Sequence, residues 1–286
     1  MKGWKMSIES LLKIQNLKTS PSDIIKKLEE ATEQELYRSA LKVQTDLNLG
    51  EILRYLFNNQ QWSSAKNVLD LGCGTGDHIS HIARYFPDKF YTGVDIDEHF
   101  INIAKEQTKA LKNCTFYCAD LYDFSQGQYD FVILRAVLQH LKDTDRFMKH
   151  LPNLLQDHAV VLFSDTTSDN FINSYPPIPT FDDFYNQLEV LQKEHDGNRN
   201  CLIELEENLE KYNFKLIEAY NREIPITTEE HKVKIIQYII LGCSVAKKMI
   251  PVRIELKNLF DDIIKWHDSN APYIQIKTRW MMIQKG

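Results

Sequence analysis

The chain reads as an α/β protein: a seven-stranded, mostly parallel sheet with an antiparallel last strand, a helical N-terminal prefix and two insertions. Short apolar strand patterns alternate with helical patterns from Asn67 to Phe163. A turn with glycine at every second position, Gly72-Cys73-Gly74-Thr75-Gly76, joins the first strand to the first helix. Helical spacing without strands fills residues 7–60, and two segments, about 166–200 and 221–272, interrupt the alternation. The expected division is therefore a helical cap over 1–60 and a sheet domain over 61–286 carrying both insertions.

In the prefix, Ser22-Asp23 after Pro21 caps a helix with Ile24, Ile25, Leu28 and Ala31 on one face. A second helix carries Leu36, Tyr37, Ala40, Leu41 and Gln44, and a third runs from about Leu49 to Phe57. Val68, Leu69 and Leu71 form a short buried strand before the glycine turn, and Ile79, Ile82, Ala83 and Phe86 follow at helical spacing. Lys89–Asp95 is the second strand, Cys114–Cys118 the third, Tyr129–Leu134 the fourth and Ala159–Phe163 the fifth. Lys215–Tyr220 is the sixth, and Ile274–Ile283 alternates and closes the sheet. Tyr175-Pro176-Pro177-Ile178-Pro179 reads as a stiff loop in the first insertion. The second insertion is mostly two helices, one with Leu256, Leu259, Phe260, Ile263 and Ile264 on its apolar face. Both insertions leave carboxyl ends of strands, the edge where open α/β sheets bind ligands, so they are expected as lids.

With 286 residues, 43% hydrophobic and 26% charged, the chain has the composition of an ordinary globular protein. A net charge of −6 gives no reason to expect a nucleic-acid partner. The five cysteines are scattered and no His cluster completes a metal set, so no metal is expected and the thiols read as reduced in a cytoplasmic protein. The start, Met1-Lys2-Gly3-Trp4-Lys5-Met6, has no signal-peptide core, and the longest apolar run, Ile235–Ala246, is too short for a bilayer; its character suggests a homodimer contact instead.

The glycine turn between strand and helix is a nucleotide-type site: glycine reaches positive φ, lets a ligand approach the backbone, and leaves helix-start N–H groups facing it. Asp95, on the order of 20 residues past the last glycine, can accept from both hydroxyls of a ribose. That serves a nicotinamide cofactor equally well, and Asp97 competes for the role or caps the next helix.

Asp70-Leu71-Gly72-Cys73-Gly74-Thr75-Gly76 lacks the spacing of the dinucleotide fingerprint. It resembles motif I, D/E-x-G-x-G-x-G, of the class I S-adenosylmethionine-dependent methyltransferases. Gly93-Val94-Asp95-Ile96-Asp97 is similar to the family's acidic second loop and Cys118-Ala119-Asp120-Leu121 to its adenine loop. Tyr129-Asp130-Phe131-Val132 and Ala136-Val137-Leu138-Gln139-His140-Leu141 are similar to its fourth strand and the following turn.

The resemblance implies a Rossmann-like fold and a small-molecule-type enzyme using S-adenosylmethionine and releasing S-adenosylhomocysteine by in-line methyl transfer. Protein or RNA methylation, or a non-catalytic cofactor-binding scaffold, are the alternatives. It implies that backbone at Gly72, Cys73 and Gly74 lies against the methionine part and that Asp70 supports its ammonium. Asp95 then holds the ribose, Ile96 packs on adenine, Asp120 accepts from the adenine amine and the Leu121 N–H meets a ring nitrogen. Arg135 stands where the methionine part is contacted, or is a surface charge; Arg38 and Tyr37 are further candidates for the methionine carboxylate. His140 is the candidate general base, or packs at a helix start; His150, His158, His195, His231 and His267 have no motif around them. Asn173-Ser174-Tyr175-Pro176-Pro177 is similar to an amide-methylating motif but follows the wrong strand, and Glu204, Glu206, Glu207 and Glu210 read as a solvated helix face.

Overall fold

A computed structural model describes residues 8–166, 172–194, 197–225, 228–270 and 272–286. The prefix contains α1 (Ile8–Leu11), α2 (Ile14–Thr19), α3 (Pro21–Glu30), α4 (Glu33–Phe57) and α5 (Gln60–Ser64). Then come β1 (Asn67–Leu71), α6 (Asp77–Tyr85), β2 (Phe90–Asp95), α7 (Glu98–Thr108), β3 (Cys114–Cys118), β4 (Tyr129–Arg135), α8 (Thr144–His150) and β5 (Leu155–Asp165). The rest holds β6 (Ile172–Tyr175), α9 (Pro179–Glu194), α10 (Cys201–Glu206), β7 (Phe214–Pro225), α11 (Glu229–Met249), α12 (Leu256–His267) and β8 (Tyr273–Lys285).

The strands follow the order β3-β2-β1-β4-β5-β8-β6, with β7 also paired to β8. The pairs β1–β2, β1–β4, β2–β3 and β4–β5 are parallel, whereas β8 is antiparallel to β5 and to β6. The described strands thus number eight. The additional one, β6, occupies Ile172–Tyr175, inside the first insertion and immediately before the expected proline loop. Its sequence Ile-Asn-Ser-Tyr carries no alternating apolar pattern; pairing with Tyr273–Ile276 of β8 makes it a strand.

The chain divides into two compact units. The first comprises 1–47, 172–191 and 224–276, and the second 48–171, 192–223 and 277–286. Most of the prefix and most of both insertions fall in the first unit, and the last part of the prefix in the second. The second and third expected helices are one, α4, continuous through Asn48-Leu49-Gly50. A mid-helix glycine costs about 1 kcal/mol, which packing of Leu47, Ile52 and Leu53 outweighs. Helix α3 starts at Pro21 itself, with Ser20 in the cap position and Asp23 in the first turn.

Within the first unit, Lys18 reaches Asp268 at 2.6 Å and the Thr180 hydroxyl donates to Asp262 at 2.7 Å. The apolar side chains of α11 are spent inside the chain: Ile235, Ile236, Ile239, Ile240, Leu241 and Cys243 are all buried.

In the second unit, period-two alternation feeds two cores, one per face of the sheet. Phe131, Ile133, Val160, Leu162, Trp280 and Met282 pack with Trp62, Ile79 and Ile82. Their neighbours Val132, Leu134, Val161, Phe163, Met281 and Ile283 pack with Phe147, Met148, Leu202 and Leu205. Each fully buried side chain of this size contributes about 1.5–3 kcal/mol. Two polar staples fix the entrance to β1. Asp130 Oδ2 accepts from the Lys66 and Asn67 N–H groups at 2.8 and 2.7 Å. The buried Lys89 ammonium donates to the Trp62 and Ala65 carbonyls at 2.8 and 2.7 Å and lies 5.1 Å from the Trp62 ring centre.

No described helix is long and apolar enough to cross a membrane.

Candidate active site

The glycine turn sits where β1 ends beside β2. The parallel register runs to Leu71 opposite Val94, and the Val94 carbonyl then accepts from both Gly72 and Cys73 N–H groups, at 2.8 and 3.0 Å. Gly72, Gly74 and Gly76 have φ of 73°, 53° and 72°, the left-handed region that glycine enters without strain. A Cβ on Gly72 would stand 2.3 Å from Val137 Cγ2, and one on Gly76 would stand 2.7 Å from the Ala104 Cβ. Gly76 caps α6, and the Thr75 carbonyl is held by the Gln107 amide at 2.7 Å. Cys73 is buried under this turn, and burial, with the Asp70 and Asp95 charges, pushes its thiol well above the ordinary range, which keeps it neutral.

Asp95 at the end of β2 faces the turn. Its Oδ2 accepts from the Gly74 N–H at 2.8 Å and its Oδ1 from the Asp97 N–H at 3.0 Å. One bond per oxygen leaves further lone pairs for a ligand's hydroxyls. Burial raises its pKa, opposed by those two N–H groups. The competing Asp97 is committed elsewhere: it caps α7, its Oδ1 accepting from His99 and Phe100 N–H groups at 2.8 and 3.2 Å. Ile96, between the two, is 72% exposed, an unusual place for a large aliphatic side chain beside a polar turn. Asp120 follows β3; its Oδ1 accepts from the Tyr122 N–H at 2.9 Å, and Leu121 beside it is half-buried.

Asp70 lies inside β1, nearly fully buried, with its Oδ2 3.5 Å from His78 Nδ1. His78, in the first turn of α6, is 2% exposed, and neither of its ring nitrogens has a hydrogen-bond partner. Burial pushes its pKa down, Asp70 pulls it up, and the Arg135 and His81 charges push it down again. A neutral imidazole whose nitrogens find no close partner among the described residues, beside a buried carboxylate, makes this a buried polar spot in the unit. His78 carries no motif; the one sign in the sequence is a polar residue directly before Ile79 on the helix face that must meet the sheet.

Arg135 ends β4, half-buried, opposite Ser164 of β5. The next residue, Ala136, is in the left-handed region at φ 56°, its N–H bonded to the Ser164 carbonyl at 2.8 Å. Val137 then meets the glycine turn, and a 3-10 turn covers Leu138–His140. His140 is exposed, and the surrounding chain, then the Arg199 charge, lower its pKa.

Asp70, Gly72, Cys73, Gly74, Asp95, Ile96, Asp120, Leu121, Arg135 and His140 all lie in the second unit, and the Gly74–Asp95 bond joins the turn to the end of β2. Arg38 and Tyr37 are exposed on α4, in the first unit. Among the other histidines, His150 bonds the Phe124 carbonyl at 2.6 Å and His267 pairs with Asp268 at 3.0 Å; His195 lies outside the described residues. The acidic cluster near α10 is less uniform than a solvated face: Glu206 is ion-paired with Arg279, and Glu204 accepts from Asn198 at 2.7 Å. No group of His, Cys, Asp and Glu among the described residues is arranged to hold a metal ion. A separate cleft of about 400 Å³ between α4 and β7 has its charges answered internally, Glu51 by Arg222 and Glu218 by the Tyr55 hydroxyl.

These residues suit an adenosyl sulfonium amino acid: left-handed glycines exposing backbone at the turn, an exposed aliphatic side chain beside the Asp95 carboxylate, and imidazole nitrogens unpartnered among the described residues beside Asp70. The comparisons agree. Malonyl-[acyl-carrier protein] O-methyltransferase of Bacillus anthracis is 32% identical over 110 residues, 38% of this chain and 40% of that protein. Carboxy-S-adenosyl-L-methionine synthase of Campylobacter fetus subsp. fetus is 28% identical over 165 residues, 54% of this chain and 70% of that one. This chain spans about half the length of the malonyl-carrier O-methyltransferases it matches. In fold it is similar to phospholethanolamine N-methyltransferase 2 of Haemonchus contortus, a structure holding phosphomonomethylethanolamine and S-adenosylhomocysteine. That likeness has a TM-score of 0.52 at 16% identity, covering 96% of this chain and 60% of that one. Residues 63–232, more than half of the chain, match the family described as "Methyltransferase domain", so the chain belongs to that family, the class I methyltransferases whose methyl donor is S-adenosylmethionine.

Proposed function

We propose that this protein transfers a methyl group from S-adenosylmethionine to a small organic acceptor by direct in-line displacement. The observation that carries the reading is the Asp95 carboxylate bonded to the Gly74 N–H with spare lone pairs, beside the exposed Ile96. In this reading Asp95 holds the ribose hydroxyls and Ile96 covers one face of the adenine. Asp120 Oδ2 accepts from the adenine amine, and the Leu121 N–H meets a ring nitrogen. Backbone at Gly72, Cys73 and Gly74 lines the methionine part, Asp70 takes its ammonium, and Arg135 supplies a cation for its carboxylate.

When bound, the donor supplies an electrophilic methyl on a sulfonium. The protein's part is alignment and exclusion of water, since charge is lost at sulfur as the methyl leaves. An acceptor that carries a proton needs a base, and in this reading His140, whose pKa is lowered by desolvation against the surrounding chain and then by the Arg199 charge, serves. The names of the relatives, O-methyltransferases of a malonyl carrier and of ubiquinone biosynthesis, support an organic acid or hydroxyl as acceptor.

Isothermal titration with S-adenosylmethionine and S-adenosylhomocysteine tests the donor half; absence of both heat and thermal shift with either compound overturns it. Methyl-labelled donor offered with a panel of small acids, phenols and amines tests the acceptor half. Label is expected in the small-molecule fraction, and label found only in added protein or RNA overturns that part.

A further inference from the structure

We propose that Asp165 is a positioning residue of the donor site: from the end of β5 it gathers the backbone N–H groups of the turn after β4 and so holds Val137 against Gly72. The proposal rests on the donor-site reading above. Asp165 is fully enclosed, and its carboxylate is answered by backbone. The Gln139 N–H approaches Oδ2 at 3.2 Å and the Thr166 N–H approaches Oδ1 at 3.1 Å, and the amides of Leu138 and Val137 pull its raised pKa back down. Opposite it on β8 stands Arg279, whose guanidinium is spent on Glu206 and Asn221. The carboxylate therefore works as a cap for a 3-10 turn whose own start has no side-chain cap.

That turn needs an outside hold. It leaves β4 through Ala136 at φ 56°, a conformation costly for any residue with a Cβ. A second clamp grips the same turn. The Gln139 carbonyl accepts from the Asn198 N–H at 3.0 Å and from the Gln192 amide at 3.2 Å, and the Thr166 hydroxyl donates to Gln139 Oε1 at 2.8 Å. What the turn positions is Val137, whose Cγ2 occupies the space a side chain on Gly72 would need. A carboxylate two strands away from β1 thereby sets the wall of the glycine turn, without touching a ligand itself.

Amide hydrogen exchange and S-adenosylhomocysteine titration on the full chain at about pH 8, above the pKa of about 7 to which burial raises Asp165, test this, comparing the wild type with Asp165→Asn, which keeps the shape but turns one oxygen into a donor facing N–H groups. The expected result is exchange at Val137, Leu138 and Gln139 faster by about tenfold or more, with affinity about tenfold weaker, while Leu69–Leu71 exchange as in the wild type. A folded variant with unchanged turn exchange overturns the clamp, as does faster exchange spread equally into β1. If the variant does not fold, Val137→Ala decides: weakened binding with the turn still protected supports the lever, and unchanged affinity refutes it. A wild type that binds no S-adenosylhomocysteine sinks the donor site beneath the proposal, whereas equal affinity of wild type and Asp165→Asn sinks the proposal alone.

Discussion

Replacing Gly72 by alanine adds one methyl group and separates two costs that the structure predicts. The first is conformational: at φ 73° a residue with a Cβ is strained by about 1–2 kcal/mol. The second is steric: the new Cβ would lie 2.3 Å from Val137 Cγ2 and 3.3 Å from Cγ1, against a normal carbon contact of about 3.5–4.0 Å. Relief requires moving Val137 or the turn, at about 1–3 kcal/mol, the usual range for overpacking. Gly72→Ala should therefore cost about 2–5 kcal/mol in urea unfolding of the second unit, followed by fluorescence of the buried Trp62 and Trp280. In a Val137→Ala background the steric part disappears and only the conformational part remains. The double-mutant cycle should then show a coupling of about 1–3 kcal/mol. Equal costs in both backgrounds, within about 0.5 kcal/mol, would show that Val137 does not wall the turn.

Ile96→Ser should leave stability within about 0.5 kcal/mol, because the side chain is already 72% exposed, yet weaken S-adenosylhomocysteine binding about tenfold; titration and thermal melts distinguish this from a packing role. Lys89→Met should cost about 2–3 kcal/mol in denaturant unfolding by stranding the Trp62 and Ala65 carbonyls, and a change below about 0.5 kcal/mol would mean those bonds add nothing. Two buried groups should tilt the pH dependence of stability in opposite directions. His78 has a depressed pKa, so the unfolded chain binds more protons and stability falls as pH drops through about 6.5. Asp165 is pushed up to about 7 by burial, so the folded chain holds the extra proton and stability falls as pH rises from about 4 to about 7. Its thiol neighbour Cys201 stays neutral throughout, and the Asp70, Arg135 and His81 groups face His78. Unfolding free energies at pH 5, 6 and 7 for His78→Asn and Asp165→Asn should each lose one of these slopes, and wild-type slopes in both would refute the assignment.

Most of the sheet was legible in the sequence because β1 to β5 alternate faces: residues such as Val132 and Ile133 go to different cores, and each is apolar. The glycine turn was legible because positive φ at three alternating positions admits few other residues. Strand β6 was not, since its partner is over a hundred residues along the chain and its own pattern is polar. The continuity of α4 was hidden by Gly50, whose local penalty is overcome only once the flanking leucines are buried. The gathering of prefix and insertions into one unit was hidden for a similar reason: Lys18 and Asp268 are 250 residues apart in sequence. In the site, carboxylates inside motifs were found, whereas His78 and Asp165 were missed. A buried polar residue outside a motif declares itself only through what surrounds it.

The handling of charge along the carboxyl edge has a consistent logic. Across β2, β1, β4 and β5 stand Asp95, Asp70, Arg135 and Asp165 in turn. Asp95 and Asp165 are both answered by backbone N–H groups, but with different capacity left over. Each has one N–H donor on each oxygen, but Asp95 is half-buried whereas Asp165 is enclosed. The first can still accept from a ligand; the second is shut away by burial and acts on the turn alone. Asp70 instead stands 3.5 Å from a neutral imidazole, a weaker partner for a carboxylate than an N–H group at hydrogen-bond distance. A ligand amine placed there gains more than one placed at either neighbour, and a cationic ammonium gains most. Asp70→Asn should for that reason weaken S-adenosylmethionine more than adenosine, since adenosine lacks the amine. Equal weakening of both in parallel titrations would assign Asp70 to the fold of the turn and not to its ligand.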